Sequence, residues 1–76
     1  MMREIGLIRD ELMKAKIKHP VYPTDMFEQL AIMSEEAGEV AKAVLHYKYE
    51  GGSLEDVRDE LLQIAAMCIR MLENLK

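Results

Sequence analysis

Two short breaks divide this chain into three segments, and they constrain its fold more than any other feature. The first break is His19-Pro20-Val21-Tyr22-Pro23, where each proline disfavours helix at the residue before it. The second break is Gly51-Gly52, a pair that commonly ends a helix. No alternating strand pattern lies between them, so the chain is predicted to be all-α. We expect helices over about 2–18, 25–49 and 53–75.

Helix-start signals support the second and third of these segments. Asp25 suits the N-cap position of the second helix, and Glu28 follows three residues later, as in a capping box. Ser53 and Asp56 repeat that spacing at the start of the third helix. The short turn between the two helices predicts that they form an antiparallel hairpin.

Apolar residues predict which faces of the helices are buried. The stripe on the second helix consists of Phe27, Leu30, Ala37, Ala41, Val44 and Leu45. The stripe on the third helix consists of Val57, Leu61, Ile64, Cys68, Met71 and Leu72. On the opposite side of the third helix, Leu62 and Ile69 form a second apolar patch that a partner subunit could cover.

Size and composition exclude several classes of protein. The 76 residues make one domain, 1–76, and a chain this short buries only about 60% of its unfolded surface. Half of the residues are hydrophobic, so we expect a homo-oligomer. The single cysteine, Cys68, cannot form an intrachain disulfide and favours a reduced, cytoplasmic location. We find no signal peptide and no long apolar run, and therefore expect no membrane partner.

Charge argues against a nucleic acid polymer as partner. The net charge is −4, and the basic residues do not form the continuous stripe that a phosphate backbone needs. The one basic cluster, Lys14, Lys16 and Lys18, lies where it suits the negative end of the first helix dipole. Binding to a polyanion is therefore not expected.

Carboxylates on two consecutive helices form the most distinctive chemical feature. Glu35, Glu36 and Glu39 share roughly a quarter of the circumference of the second helix, at about 100° per residue. Asp56, Asp59 and Glu60 form a second acidic cluster on the third helix. Like charges at this spacing cost about 0.2–0.5 kcal/mol per pair. A divalent cation between the helices would remove that cost.

An ordinary solvated helix face is the alternative origin of this charge run. Lys42 lies beside the glutamates and relieves part of their repulsion, and charge runs of this kind are usually solvated. Spacing alone therefore leaves both explanations open. His46 follows on the same side, where a surface position near the helix C-terminus explains it better than a phosphate contact.

The combined pattern resembles a known family. Glu35-Glu36-x-x-Glu39, followed about twenty residues later by Glu60-x-x-Gln63, resembles the EExxE…ExxD signature of the MazG-like nucleoside triphosphate pyrophosphohydrolases. The surrounding residues, Phe27 to Leu30 and Ala37 to Ala43, are also similar to that helix of the family. The resemblance covers roughly residues 25–72.

The resemblance implies a function and a set of site residues. It implies Mg²⁺-dependent hydrolysis (Mn²⁺ being possible) of a nucleoside triphosphate between the α and β phosphates, giving a nucleoside monophosphate and pyrophosphate. Family members are dimers or tetramers of three-helix antiparallel hairpin units joined into a helical bundle. The implied metal ligands are Glu35, Glu36, Glu39 and Glu60, completed by Gln63. A glutamate, Glu36 or Glu39, is the implied catalytic base, Lys42 the implied substrate-binding residue and Asp56 an accessory acid.

One residue departs from the family signature. Gln63 occupies the position of its last aspartate, so the site carries one negative charge less and binds metal less tightly. In another register Asp56-x-x-Asp59 takes the place of Glu60-x-x-Gln63, but Asp59 points about 100° away from Glu60. The substitution leaves a second hypothesis: a non-catalytic helical oligomerisation or interaction protein that keeps the fold. Phosphoribosyl-ATP pyrophosphohydrolase is a third, related possibility.

Overall fold

Three α-helices make up the structure, a computed structural model that describes residues 1–75. In chain order they are α1 (Met2–Lys18), α2 (Met26–Tyr49) and α3 (Leu54–Asn74). No strand occurs within these 75 residues, which confirms the all-α prediction. None of the three helices in this part of the chain has an apolar stretch long enough to cross a membrane.

The predicted caps begin α2 and α3. The Asp25 carboxylate accepts a hydrogen bond of 3.0 Å from the Glu28 backbone N–H. The Ser53 hydroxyl accepts one of 3.1 Å from the Asp56 backbone N–H. These bonds satisfy N–H groups that have no partner inside the first turn of a helix.

A tight turn joins α2 to α3. Gly51 has φ +77°, a left-handed conformation that glycine adopts without steric cost. The Glu50 and Gly52 backbone N–H groups both donate to the His46 carbonyl, at 2.9 and 3.0 Å. A Cβ on Gly52 would lie 3.0 Å from the His46 backbone, so the chain can make this close approach only with glycine there. The turn makes α2 and α3 antiparallel, as predicted.

Helix α3 is the central element of the fold. It contacts both α1 and α2, whereas within residues 1–75 no Cα–Cα distance of 8 Å or less joins α1 to α2. In the α2–α3 interface the Cys68 thiol lies 3.5 Å from the Met33 sulfur. Within residues 1–75 the buried residues are few, and two of the four are polar: Leu12, Ala66, Gln29 and Arg70.

Arg70 fixes the end of α1 to α3. Its guanidinium donates hydrogen bonds to the carbonyls of Ala15, at 3.3 Å, and His19, at 2.6 Å. It also lies 4.9 Å from the centre of the Tyr22 ring, in cation–π contact. The Ala15 carbonyl also accepts a hydrogen bond of 2.8 Å from the His19 backbone N–H, and the His19 carbonyl lies just beyond the last residue of α1. A charged residue of α3 thus caps α1 and holds the loop that follows it.

The surface of α2 that packs on α3 differs from the predicted stripe. The less exposed residues of α2 recur on one side, and they are Gln29, Ile32, Met33, Glu36, Val40 and Ala43. Four larger residues of the predicted stripe are exposed instead, namely Phe27, Leu30, Val44 and Leu45. Glu36 therefore lies within the helix interface and not on a solvated face.

The apolar patch of Leu62 and Ile69 lies on the side of α3 that faces α1. Both residues are half-buried. They lie on the side of α3 that also carries Arg70 and Glu73, and these two residues contact α1. Because Arg70 and Glu73 bind α1 from this side of α3, α1 packs beside the patch.

Candidate active site

Two carboxylates from facing helices enter the α2–α3 interface. Glu36 of α2 and Glu60 of α3 are both half-buried. The Oε2 atom of each is fully shielded from solvent and has no hydrogen-bond partner within residues 1–75. A buried carboxylate oxygen without a donor is unfavourable unless a proton or a cation compensates it. Either a proton or a cation would therefore compensate these two oxygens.

The electrostatic surroundings of the pair lead to the same conclusion. Burial raises the pKa of Glu36 above its ordinary value, and the negative charges of Glu60, Glu39 and Glu35 raise it further. Burial also raises the pKa of Glu60, with additional contributions from Glu39, Asp59 and Asp56. Both effects disfavour the charged form of each carboxyl. A bound divalent cation would reverse them.

A cavity of about 420 Å³ collects most of the other predicted site residues, and we call it the acidic groove. Its lining residues with a predicted role are Glu39, Lys42, Asp56, Glu60 and Gln63. His46 also lines it, at its Lys42 side. The structure thus brings one acid of the α2 cluster, Glu39, to the same groove as the α3 cluster, together with Lys42.

A second cavity of about 570 Å³ lies next to the groove, and we call it the large cavity. Glu36 and Gln63 line one part of it, and Gln63 lines the acidic groove as well. The remaining wall comes from the C-terminal half of α1, the proline-containing loop, Ile32 of α2, and α3. Apolar and aromatic members of that wall are Ala15, Val21, Tyr22, Pro23, Ile32, Ala66 and Met67. Its volume falls within the range typical of small-molecule sites.

The predicted ligand set is only partly assembled. Within residues 1–75 no group of three or more His, Cys, Asp or Glu side chains is placed to hold a metal ion together. Glu35 is exposed and lines neither the acidic groove nor the large cavity. Mg²⁺, however, commonly takes one or two carboxylates and completes its shell with water and substrate phosphates. The unpartnered oxygens of Glu36 and Glu60 fit that mode of binding.

Sequence reasoning missed the basic and aromatic wall of the large cavity. Lys14 and Lys18 line it from α1, and the Tyr22 hydroxyl is buried without a hydrogen-bond partner in the described part of the chain. Arg70 lies seven residues, or two helical turns, after Gln63, and this spacing places both on one side of α3. This seven-residue spacing is the sequence feature from which Arg70 could have been identified as a residue near the site. The other residues come together only through the packing of α1.

Comparison with known proteins identifies no relative. No protein-family model, no curated protein and no solved structure matches this chain. The function is therefore inferred from the chemistry of the site and from the signature residues themselves.

Proposed function

We propose that the protein is a Mg²⁺-dependent nucleoside triphosphate pyrophosphohydrolase of the MazG-like type. The observation that carries this proposal is the two buried, unpartnered carboxylate oxygens of Glu36, which lines the large cavity, and Glu60, which lines the adjoining acidic groove. Two such oxygens, from two helices, supply part of a hard-cation site. The resemblance of the Glu35 to Glu39 segment to the family signature adds the reaction type.

The chain's own residues divide the work of metal binding. Glu36 and Glu60 would hold Mg²⁺, or Mn²⁺ in its place, and Glu39 lies close enough to raise the pKa of both. Glu35 and Gln63 complete the proposed ligand set, with Asp56 as an accessory acid. When bound, the cation polarises phosphoryl oxygens and lowers the pKa of a coordinated water.

The two cavities suggest how the substrate lies. The large cavity, with its apolar and aromatic wall, takes the nucleoside, because bases and sugars need such surfaces. The acidic groove would take the β and γ phosphates once a bound cation offsets its carboxylates, and Lys42 adds a further positive charge there. Gln63 lines both cavities, so the bond between the α and β phosphates would lie near it.

Hydrolysis then follows from this placement. A water oxygen attacks the α phosphorus, and its proton passes to a carboxylate, Glu39 or Glu36. The bond from the α phosphorus to the bridging oxygen breaks, and its electron pair leaves with pyrophosphate. The products are a nucleoside monophosphate and pyrophosphate. We propose that the enzyme is cytoplasmic and works as a dimer or a tetramer.

A specific observation favours a second candidate function. No three-residue metal group is preformed in residues 1–75, and Gln63 stands where the signature has aspartate. Both facts are expected of a non-catalytic helical protein whose task is oligomerisation or interaction. In that case the fold remains and the metal site is degenerate.

Pyrophosphate release separates the two candidates. The protein is incubated with a panel of canonical and modified nucleoside triphosphates, first with Mg²⁺ or Mn²⁺ and then with EDTA. The enzyme proposal predicts metal-dependent release of pyrophosphate and monophosphate, lost in Glu36→Gln and Glu60→Gln. The matched control is Glu28→Gln, which removes an exposed carboxylate of α2 that lines neither cavity. Absence of release by a folded protein across the panel favours the non-catalytic candidate.

A further inference from the structure

The α2–α3 hairpin exposes a continuous apolar surface, which we call the apolar face. It consists of Phe27, Leu30, Ala37, Ala41, Val44 and Leu45 of α2, with Leu61 and Leu72 of α3. Phe27 is 80% exposed and Leu72 is 69% exposed, far more than is usual for such residues. An uncovered surface of this kind on a small protein marks an interaction site.

Helical geometry places both parts of the apolar face on one side of the hairpin. At about 100° per residue, the α2 stripe centres about 120° from the side that packs on α3. Leu61 and Leu72 lie about 70° from the side of α3 that packs on α2, in the same rotational sense. Because the two helices are antiparallel, displacement in the same rotational direction brings the α2 stripe and the two α3 leucines to the same side of the hairpin. Glu39 and Gln63 are displaced in the opposite sense, so the acidic groove opens on the other side.

The exposed area matches what one interface needs. The chain exposes 5797 Å². A compact monomer of 8.8 kDa is expected to expose about 4,800 Å². The excess is thus about 1,000 Å², against the roughly 800 Å² that each partner buries in a standard stable interface.

We propose that the apolar face binds the same face of a second copy of the chain, with the two α2 helices antiparallel. The stripe on α2 has large residues at both ends and small residues at its centre. The small residues are Ala37 and Ala41, and Ser34 and Gly38 lie beside them. A two-fold axis beside Ala37 places Leu30 against Leu45 of the second copy. Small residues at the axis allow two helices to approach closely.

Charge also selects a second copy over another partner. From Phe27 to Leu45 no charged residue of α2 lies on the apolar face, because Glu28, Glu35, Glu39 and Lys42 all lie on the opposite side. A different protein partner is normally chosen by charged or polar groups at the interface. The α2 stripe carries no charged residue and has a similar order of large and small residues when followed from either end. Such a stripe can pack against its own copy in the antiparallel direction. The proposal does not rest on hydrolytic activity, because the acidic groove lies on the other side of the hairpin.

Sedimentation equilibrium of charged variants tests the proposal. Wild-type protein is expected to have at least the mass of a dimer, and Leu30→Glu and Ala41→Glu are expected to be monomers. The matched control is Ile17→Glu, which places the same charge at a 79% exposed apolar residue of α1, away from the apolar face. It is expected to keep the wild-type mass. A wild-type monomer, or equal dissociation by Ile17→Glu, would overturn the proposal.

Cross-linking provides a test that does not depend on how the charged variants fold. In a Cys68→Ala background, a cysteine is introduced by Ala37→Cys or, as the control, by Ile17→Cys. A short bismaleimide is expected to link Ala37→Cys into covalent dimers in high yield and to leave Ile17→Cys monomeric. Equal yields at the two positions would contradict the proposed axis. A dimer that releases no pyrophosphate supports this inference while refuting the proposed function.

Discussion

Replacing Glu36 with glutamine is expected to stabilise the metal-free protein while abolishing hydrolysis. Burial raises the pKa of Glu36, and the negative charges of Glu60, Glu39 and Glu35 raise it further. Glu39, at the i,i+3 position of the same helix, costs about 0.2–0.5 kcal/mol. The charge of Glu60 on the facing helix adds to this cost, so the expected total is about 1 kcal/mol. A neutral amide is also less costly to bury than a carboxylate. In a domain of this size, 1 kcal/mol corresponds to a rise in Tm of about 4–8 °C.

The pH dependence of this effect has a defined sign. The pKa of Glu36 is raised above 4.5 in the folded protein, so the folded state binds this proton more tightly than the unfolded state. The stability gained by protonation is present below the unfolded pKa and is lost as pH rises through the folded pKa. The advantage of Glu36→Gln over wild type is therefore expected to be largest at neutral pH and to disappear below about pH 4.5.

Thermal denaturation at fixed protein concentration measures this difference. Mg²⁺ is expected to raise the Tm of wild type and to leave that of Glu36→Gln nearly unchanged, because only wild type keeps both carboxylates of the pair. Glu28→Gln serves as the control and is expected to lose a few tenths of a kcal/mol, since Glu28 lies in the first turn of α2 and favours the helix dipole. A metal-free Glu36→Gln protein that melts at or below the wild-type Tm at pH 7 would refute the reasoning.

Three further substitutions test other parts of the structure. Gln63→Asp adds a carboxylate to the acidic groove, so it is expected to lower the Mg²⁺ concentration needed for half-maximal pyrophosphate release; an unchanged requirement would argue against a metal near Gln63. Arg70→Met removes two charge-assisted hydrogen bonds to carbonyls of α1, and urea denaturation is expected to show a loss of about 3 kcal/mol. Gly51→Ala forces a side chain into φ +77° and is expected to cost about 1–2 kcal/mol in the same assay. Values near zero for either would contradict the roles given to Arg70 and Gly51.

The helices and their ends were predictable because local chemistry determines them. The two prolines, the Gly51-Gly52 pair and the caps at Asp25 and Ser53 act within a few residues of themselves. The structure reproduces the expected bounds within a residue or two, and both caps form the expected hydrogen bonds. This information does not depend on how the helices pack.

The packing surface of α2 was not predictable in the same way. Ile32, Met33 and Val40 form one apolar side, and Leu30 and Leu45 belong to another, so the helix is apolar over more than half of its circumference. A pattern of this kind cannot indicate which side packs on the same chain. The structure shows that the side containing Glu36 does so, which is the reason its carboxylate is buried.

Arg70 was missed for a different reason. Its hydrogen-bond acceptors are the backbone carbonyls of Ala15 and His19, which every residue type carries, so no sequence pattern marks them. The wall of the large cavity depends on this contact, because Arg70 also holds the Tyr22 ring. The carboxylates could be proposed from spacing, whereas the cavity beside them follows from tertiary packing alone.

The two surfaces of the α2–α3 hairpin allow binding and assembly to be tested independently. Glu36 and Leu30 lie on the same helix, yet one belongs to the buried carboxylate pair and the other to the apolar face. If both proposals hold, Glu36→Gln is expected to abolish hydrolysis in a protein of unchanged mass, and Leu30→Glu to dissociate the oligomer. A monomeric Leu30→Glu protein that still gains stability from Mg²⁺ would show that one chain alone forms the metal site. Loss of both properties would show instead that pairing of the hairpins holds Glu36 and Glu60 in place.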